Sequence, residues 1–470
     1  SAHPDQFPTV EDQTRERERL FGILERMVPW EASNDAEMLV EAHAEIAKCF
    51  DGDIPPVLDP FGGGGAIPLE AQRLGLTALS GDLNPIAVLI QKAMLEIPAR
   101  FAGYRPAAPG VDSELSTWSG AQGLAADVEA YGEWMRDQAQ KRIGHLYPDA
   151  TGPNGEKLTT IAWIWARTVQ SPDPTWDGHV PLVASWVLRN KPKKPLIWIE
   201  PVIDRDTQTI TYEIREGGEP TFERTVARGG GTCIATGAPI PLDYLKQEGQ
   251  AGRIGQQLMA VVAHGVKGRV YCDATLQDSE VAVQVDLADR ALGEMSDHPQ
   301  YMGPPQYGMK DWADLFSDRQ WVGLTTLCDV LPEVRDKVVA DAVAAGMTDD
   351  GVRISEGGKG ATAYADAVVT YLSFVINRVI DWSNSLCSWE KNSEVNQHLF
   401  TAGRIPMVWS FCEIVPFSSN AGAFGASLKT ICTAVERVYA WGSKEVDVVQ
   451  RDARVRVGEC APCVVSTDPP

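Results

Sequence analysis

Three acids in this chain each close a short apolar run and are followed by residues that shape the backbone. Asp59 heads Asp59-Pro60-Phe61-Gly62-Gly63-Gly64-Gly65, Asp82 sits in Gly81-Asp82-Leu83-Asn84-Pro85, and Asp468 sits in Ser466-Thr467-Asp468-Pro469-Pro470. Glycines let a backbone pass close to a ligand, and a helix beginning just after them brings its N-terminal N–H groups beside it. Ala66-Ile67 follows the glycines where a triphosphate-binding loop needs Gly-Lys-Ser/Thr, so that class is excluded. A carboxylate at Asp59 would repel a pyrophosphate and suits a cationic amino-acid group. Asp82 is placed to accept hydrogen bonds from ribose hydroxyls. Its separation from Asp59 matches the step of roughly 20 residues between loop and ribose acid in doubly wound sheets. The plain alternative is a tight glycine turn with no ligand.

At the other end, two prolines after Asp468 hold the backbone extended with its carbonyls turned outward. The Asp468 carboxylate and Pro469 carbonyl can then accept from one amine, leaving the nitrogen lone pair free to attack a methyl sulfonium. S-adenosylmethionine carries that sulfonium, a cationic amino-acid group and no phosphate. It is therefore the expected cofactor. The run Val446–Ala453 reads as another strand ending in an acid, Asp452, which reaches the cofactor's adenine amine or else is a solvated turn carboxylate.

The elements that must position these groups are legible in the pattern. Val57-Leu58 reads as a strand, Ala66–Ala71 as a helix stopped by Gly75, and Thr77–Ser80 as a second strand. Asn84 caps the next helix and Pro85 suits its first turn. Amphipathic spacing gives two earlier helices, through Leu20, Leu24 and Met27, then Leu39, Ala42 and Ile46. Strand, glycine loop, helix, strand and acid make the first half of a doubly wound nucleotide-binding sheet.

Between Pro98 and Val446 lie about 340 residues, far beyond a usual crossover, so an insertion is expected. Ile161–Trp165, Leu196–Ile199 and Thr209–Ile214 alternate with turn residues and predict a small antiparallel β module. Arg189, Lys191, Lys193 and Lys194 could meet phosphate or simply line a solvated loop. Ser317 and Gln320 form a capping box for a helix through Val339, and Tyr364, Val368, Leu372, Val375 and Val379 trace the core face of another.

The 470 residues are 44% hydrophobic and 23% charged, which excludes a largely disordered chain. With 42 Lys+Arg against 64 Asp+Glu, the charge of −22 argues against a surface coated for nucleic acid but permits a local basic cleft. Nine cysteines are too few for a disulfide scaffold. No stretch approaches eighteen uninterrupted apolar residues, which argues against a membrane span. The absence of a charged-then-apolar leader makes the cytoplasm the expected compartment. Both ends read as cuts through a longer chain.

Together, the Asp59–Gly65, Gly81–Pro85 and Ser466–Pro470 motifs resemble those of amino-methyltransferases acting on DNA. The sequence is most similar to large prokaryotic adenine-specific DNA methylases with an inserted zinc ribbon. His3–Phe7, Tyr307-Gly308-Met309, Trp312, Leu315–Gln320 and Arg404–Trp409 carry the likeness across nearly the whole chain.

The resemblance implies an α/β fold: a Rossmann-like methyltransferase sheet split by a large α+β insertion, with its C-terminal strands missing. It implies a methyl group passed from S-adenosylmethionine to the N6 amine of adenine in double-stranded DNA, the base being flipped out. A role in restriction-modification or phage defence, with partner subunits, goes with it. Asp468, Pro469 and Pro470 would be catalytic. Asp59, Pro60, Phe61, Gly62, Gly63, Gly65, Asp82, Asn84 and Asp452 would hold the cofactor.

The expected segments are 1–104 (helical lead-in and first half of the sheet), 105–300 (insertion with the β module), 301–440 (helical insertion) and 441–470 (return to the sheet). Three departures stand out, the missing C-terminal strands of the sheet being the first. The family's aromatic residue after the second proline is beyond the chain, so turnover by these residues alone is expected to be weak. The ribbon is eroded to one cysteine of four, Cys233, with Ser171–Trp176 where the first pair would be, so no zinc is expected. N4 of cytosine, or an amine in RNA or protein, is the alternative acceptor. A non-catalytic module binding S-adenosylmethionine or DNA is the alternative of another class.

Overall fold

The computed structural model describes residues 3–29, 31–32, 35–50, 52–111, 117–266, 268–275, 278–279, 290–401, 403–418, 420–438, 444, 446–460 and 462–467. Asp468, Pro469 and Pro470 lie outside the described residues. The chain forms two compact units. One gathers Ser1–Tyr131, Val334–Tyr371 and Thr430–Pro470, and the other Gly132–Glu333 and Leu372–Lys429.

The first unit carries a four-stranded, wholly parallel sheet. In spatial order it runs Asp447–Gln450, Ala78–Asp82, Val57–Asp59, Val464–Val465. In sequence order that is third, second, first, fourth, so the chain crosses from one side of the first strand to the other before the fourth. Leu58 is fully buried in the sheet, and Ala78 and Val448 pack with Ala71, Val88 and Leu95 from its helices. The helix Ala66–Arg73 ends where expected, with Gly75 at φ +72° and its N–H bonded to the Gln72 carbonyl. Asn84 caps Pro85–Gln91 by accepting from Ile86 N at 3.0 Å.

That helix widens into a π turn over Lys92–Glu96 before Ile97–Arg100. Pro98 has no N–H to continue the ladder. Nearby, the Leu95 carbonyl accepts from the Gln72 side-chain amide at 2.8 Å.

The second unit is built on an antiparallel sheet whose central strand, Thr160–Gln170, pairs with Gly255–Gly265, Ser410–Ile414 and His179–Leu182. Its alternation is clear. Trp163 and Trp165 face one core with Leu258, Val261 and Phe411, and Ala162, Ile164 and Ala166 face the other with Leu182, Met259 and Val262. Val187–Arg189, Ile197–Asp204 and Thr209–Glu216 form a second antiparallel sheet. Of the basic run, Arg189 pairs with Glu216 at 3.2 Å and Lys191 with Glu394 at 2.6 Å.

The segment boundaries drawn from the sequence are corrected in two places. The 301–440 segment is not purely helical, because Ser410–Ile414 returns to the central sheet. Parts of 105–300 and 301–440 belong with the glycine-loop sheet, and a buried carboxylate shows why. Asp127 accepts from Ala107 N at 2.6 Å, Ala108 N at 2.9 Å and the Tyr364 hydroxyl at 2.6 Å. Periodicity reports which face of a helix is apolar, not which partner covers it.

The capping box is present: Ser317 N donates to Gln320 Oε1 at 2.9 Å and Gln320 N to Ser317 Oγ at 3.2 Å, opening the helix Asp318–Ala344. One helix, Ala361–Trp382, has the length and apolarity to cross a membrane, yet Tyr364, Val368, Leu372, Val375 and Val379 are each fully buried within the protein.

Candidate cofactor site

Parallel pairing puts the carboxyl ends of all four strands at one edge of the sheet. Leu58 is level with Leu79 and Val465, and Asp82 with Gln450. Asp59 and Asp82 end their strands there, and Asp452 follows the third two residues on. Ser466 leaves the fourth, its N–H bonded to the Leu58 carbonyl at 2.9 Å.

The glycine loop is fixed by contacts the sequence did not reveal. Gly62 N donates to the Gly81 carbonyl at 2.9 Å, joining the loop to the end of the neighbouring strand. A β-carbon on Gly62 would collide with the Ser80 hydroxyl and the Gln91 side-chain amide. Gln91, fully buried, also donates to the Gly63 carbonyl at 3.1 Å. Gln91 and Ser80 are thus positioning residues for the loop. The available signal was a lone amide directly after the apolar stretch Ile86–Ile90. Gly65, at φ +86°, turns the chain into the helix Ala66–Arg73 and leaves that helix start without a side-chain cap. Its first N–H groups lack the usual internal partner.

Asp59 is buried and its Oδ1 accepts from Phe61 N at 3.1 Å, closing the turn through Pro60. Asp82 reaches across to the loop. Its Oδ2 accepts from Gly63 N at 2.9 Å and its Oδ1 from Asn84 N at 2.8 Å. Each carboxylate oxygen has a second lone pair, so one bond apiece leaves capacity for a diol.

Asn84 is already engaged as a cap. Asp452 is the N-cap of Ala453–Glu459, accepts from Arg454 N at 2.9 Å and is clasped by the Arg454 guanidinium at 2.7 and 3.0 Å. Those Arg454 side-chain and backbone bonds hold its carboxyl down at about 2. Phe61 (64% exposed) and Leu83 (66%) stand unburied at this edge, apolar side chains beside polar loops where a flat ring could lie. Leu83 was not singled out from the sequence, since one exposed leucine has no pattern to betray it.

In the second unit, the two stretches where a ribbon's ligands would stand do meet. The Ser171 hydroxyl donates to the buried Cys233 Sγ at 3.4 Å. Asp173, bonded by the Thr175 backbone and hydroxyl, also receives the Thr236 hydroxyl. Among the described residues, no group of three His, Cys, Asp or Glu is arranged to hold a metal.

Comparison with protein-family models, with curated proteins and with solved structures finds no match to this chain.

Proposed function

We propose that this chain is an S-adenosylmethionine-dependent DNA methyltransferase acting on the exocyclic N6 amine of adenine. The observation that carries the reading is the parallel sheet in the order third, second, first, fourth, with Asp59, the glycine loop and Asp82 together at its carboxyl edge. Doubly wound sheets bind their ligands at that edge, beside the strand where the order reverses. Val57–Asp59 is that strand here.

In this reading Asp59 and the loop through Gly62, Gly63 and Gly65 receive the methionine part. Asp82 takes the ribose, while Phe61 and Leu83 offer apolar surface to the adenine. The cofactor supplies a methyl group on a sulfonium. Asp468 and Pro469, entering from the fourth strand, would accept from the target amine and aim its lone pair at that methyl. Methyl transfer would form the nitrogen–carbon bond as the sulfur–carbon bond breaks, and the proton given up by the amine would pass to the Asp468 carboxylate or to water. Catalysis then rests on alignment, with the base taken out of the duplex to reach the edge. DNA is the proposed partner and the cytoplasm the proposed compartment.

Calorimetric titration with S-adenosylmethionine tests the pocket: binding should be seen and should be abolished by Asp82→Ala. Unchanged affinity in that variant would remove the site. Nucleoside mass spectrometry of treated DNA, using protein extended beyond Pro470, separates N6-adenine from N4-cytosine and from an absence of turnover.

A further inference from the structure

The second unit holds an arginine with no counter-charge among the described residues. Arg167 is only 8% exposed. Its Nε donates to the Val408 carbonyl at 3.0 Å, and Nη2 to the carbonyl and hydroxyl of Ser385 at 3.1 and 2.9 Å. Among the described residues, no carboxylate lies within ion-pair distance of it and Nη1 has no acceptor. The guanidinium also lies 5.3 Å from the centre of the Phe411 ring. A buried charge without a partner is costly, and natural proteins pair it or use it.

Arg167 borders a cavity of about 340 Å³, within the size range of small-ligand sites. Arg290 stands on the same cavity but is committed, with Asp318 at 2.6 Å and the carbonyls of Ala313 and Phe316 at 3.0 and 2.6 Å. The remaining walls are flat or soft: Tyr307, Met309, Phe316 and Met407. Tyr307 is itself braced edge-on against Trp409, with ring centres 4.9 Å apart. The floor depends on backbone contact. Gly308 has φ +89°, and a β-carbon there would collide with the Gly249 backbone. Among the described residues Asp314 is the one carboxylate on the cavity, and its Oδ2 is occupied by Lys310 N and Asp311 N at 2.7 and 2.9 Å.

We propose that this cavity binds a nucleoside monophosphate group, its phosphate meeting Arg167 Nη1 and its base lying against Tyr307, Phe316 and the two methionines. An anion supplies the charge Arg167 lacks, and arginine matches phosphate geometry. Aromatic and thioether walls accept any base face. In a chain of net charge −22, such a cation gives a local point of attraction for an anion. The group could be a free nucleotide or one unit of a single strand, which share this chemistry. The inference stands independently of the methyltransferase reading.

Calorimetry with adenosine 5′-monophosphate, adenosine and a short single-stranded oligonucleotide tests it. The monophosphate or the oligonucleotide should bind, adenosine about tenfold more weakly than the monophosphate. Monophosphate alone identifies a free nucleotide, and the oligonucleotide alone a strand. Arg167→Met should abolish binding. Because that change could unfold the protein, Asp314→Asn provides the opposite arm: it removes the one negative charge on the cavity among the described residues and should tighten binding several-fold. The Asp82→Ala protein should bind as the parent does. No binding of either phosphate ligand, equal affinity for adenosine and its monophosphate, indifference to Asp314→Asn, or loss in Asp82→Ala would each overturn the proposal.

Discussion

The Arg319 guanidinium and the Glu413 carboxylate face each other in a two-pronged pair, Nε to Oε1 at 2.8 Å and Nη2 to Oε2 at 2.9 Å, both side chains essentially without solvent contact. Trp165 Nε1 and Ser317 Oγ donate to the same carboxylate at 2.9 and 3.1 Å, and the guanidinium lies over Trp163 with 3.8 Å to the ring centre. The pair therefore ties the start of the helix Asp318–Ala344 to the central sheet. Truncating one partner strands the other charge in the interior, a loss of about 3–5 kcal/mol. Glu413→Leu should lower the urea midpoint of the second unit accordingly, read by tryptophan fluorescence. The double change Arg319→Met with Glu413→Leu should recover much of the loss. Equal midpoints for the single variant and the parent would refute the role.

Gly62 has no room for a side chain between Ser80 and Gln91. Gly62→Ala should cost about 1–3 kcal/mol by overpacking and weaken S-adenosylmethionine binding by displacing the loop. Gly64, with open space around its α-carbon, should accept alanine with little loss of stability. Thermal melts and titrations of the two variants side by side give the comparison. A Gly64→Ala protein as damaged as Gly62→Ala would contradict this packing.

Asp452 should titrate far below an ordinary aspartate, whose value is about 3.9, because Arg454 and the helix cap favour its charged form. A folded value held low contributes stability that is present above the unfolded value and is lost as pH falls toward about 2. Carbon-detected NMR of the carboxyl group reads this directly, and a midpoint near 4 would count against the cap. Since Arg454 already engages both oxygens, Asp452→Ala should weaken S-adenosylmethionine binding less than Asp82→Ala does.

Cys233 faces a serine hydroxyl where a ribbon would present a second thiol. Zinc sites of the structural kind need about four ligands and contribute directly to folding. Prolonged chelation should therefore leave the melting temperature unchanged, and a drop of several degrees would show that a metal is held there after all.

Much of the local structure was legible because it depends on neighbours in sequence. The Asn84 cap, the Gly75 stop and the Ser317–Gln320 box each follow from residue types a few positions apart, and all three are present. Boundaries at 104, 300 and 440 were less so. Asp127 and Tyr364 stand far apart in the chain, and nothing local to either predicts their hydrogen bond.

The sequence by itself determined the strand–loop–helix unit around Asp59, the acid at Asp82 and the alternating Trp163–Trp165 strand, because backbone preference and apolar period are properties of short windows. Only the tertiary structure decided the rest. It paired Val464–Val465 beside Val57–Asp59, set Gln91 under the loop, gave Asp452 to Arg454 and left Arg167 beside a cavity with no counter-charge among the described residues. Those outcomes depend on which distant groups satisfy one another's hydrogen bonds and charge. That competition is resolved only when the whole core closes.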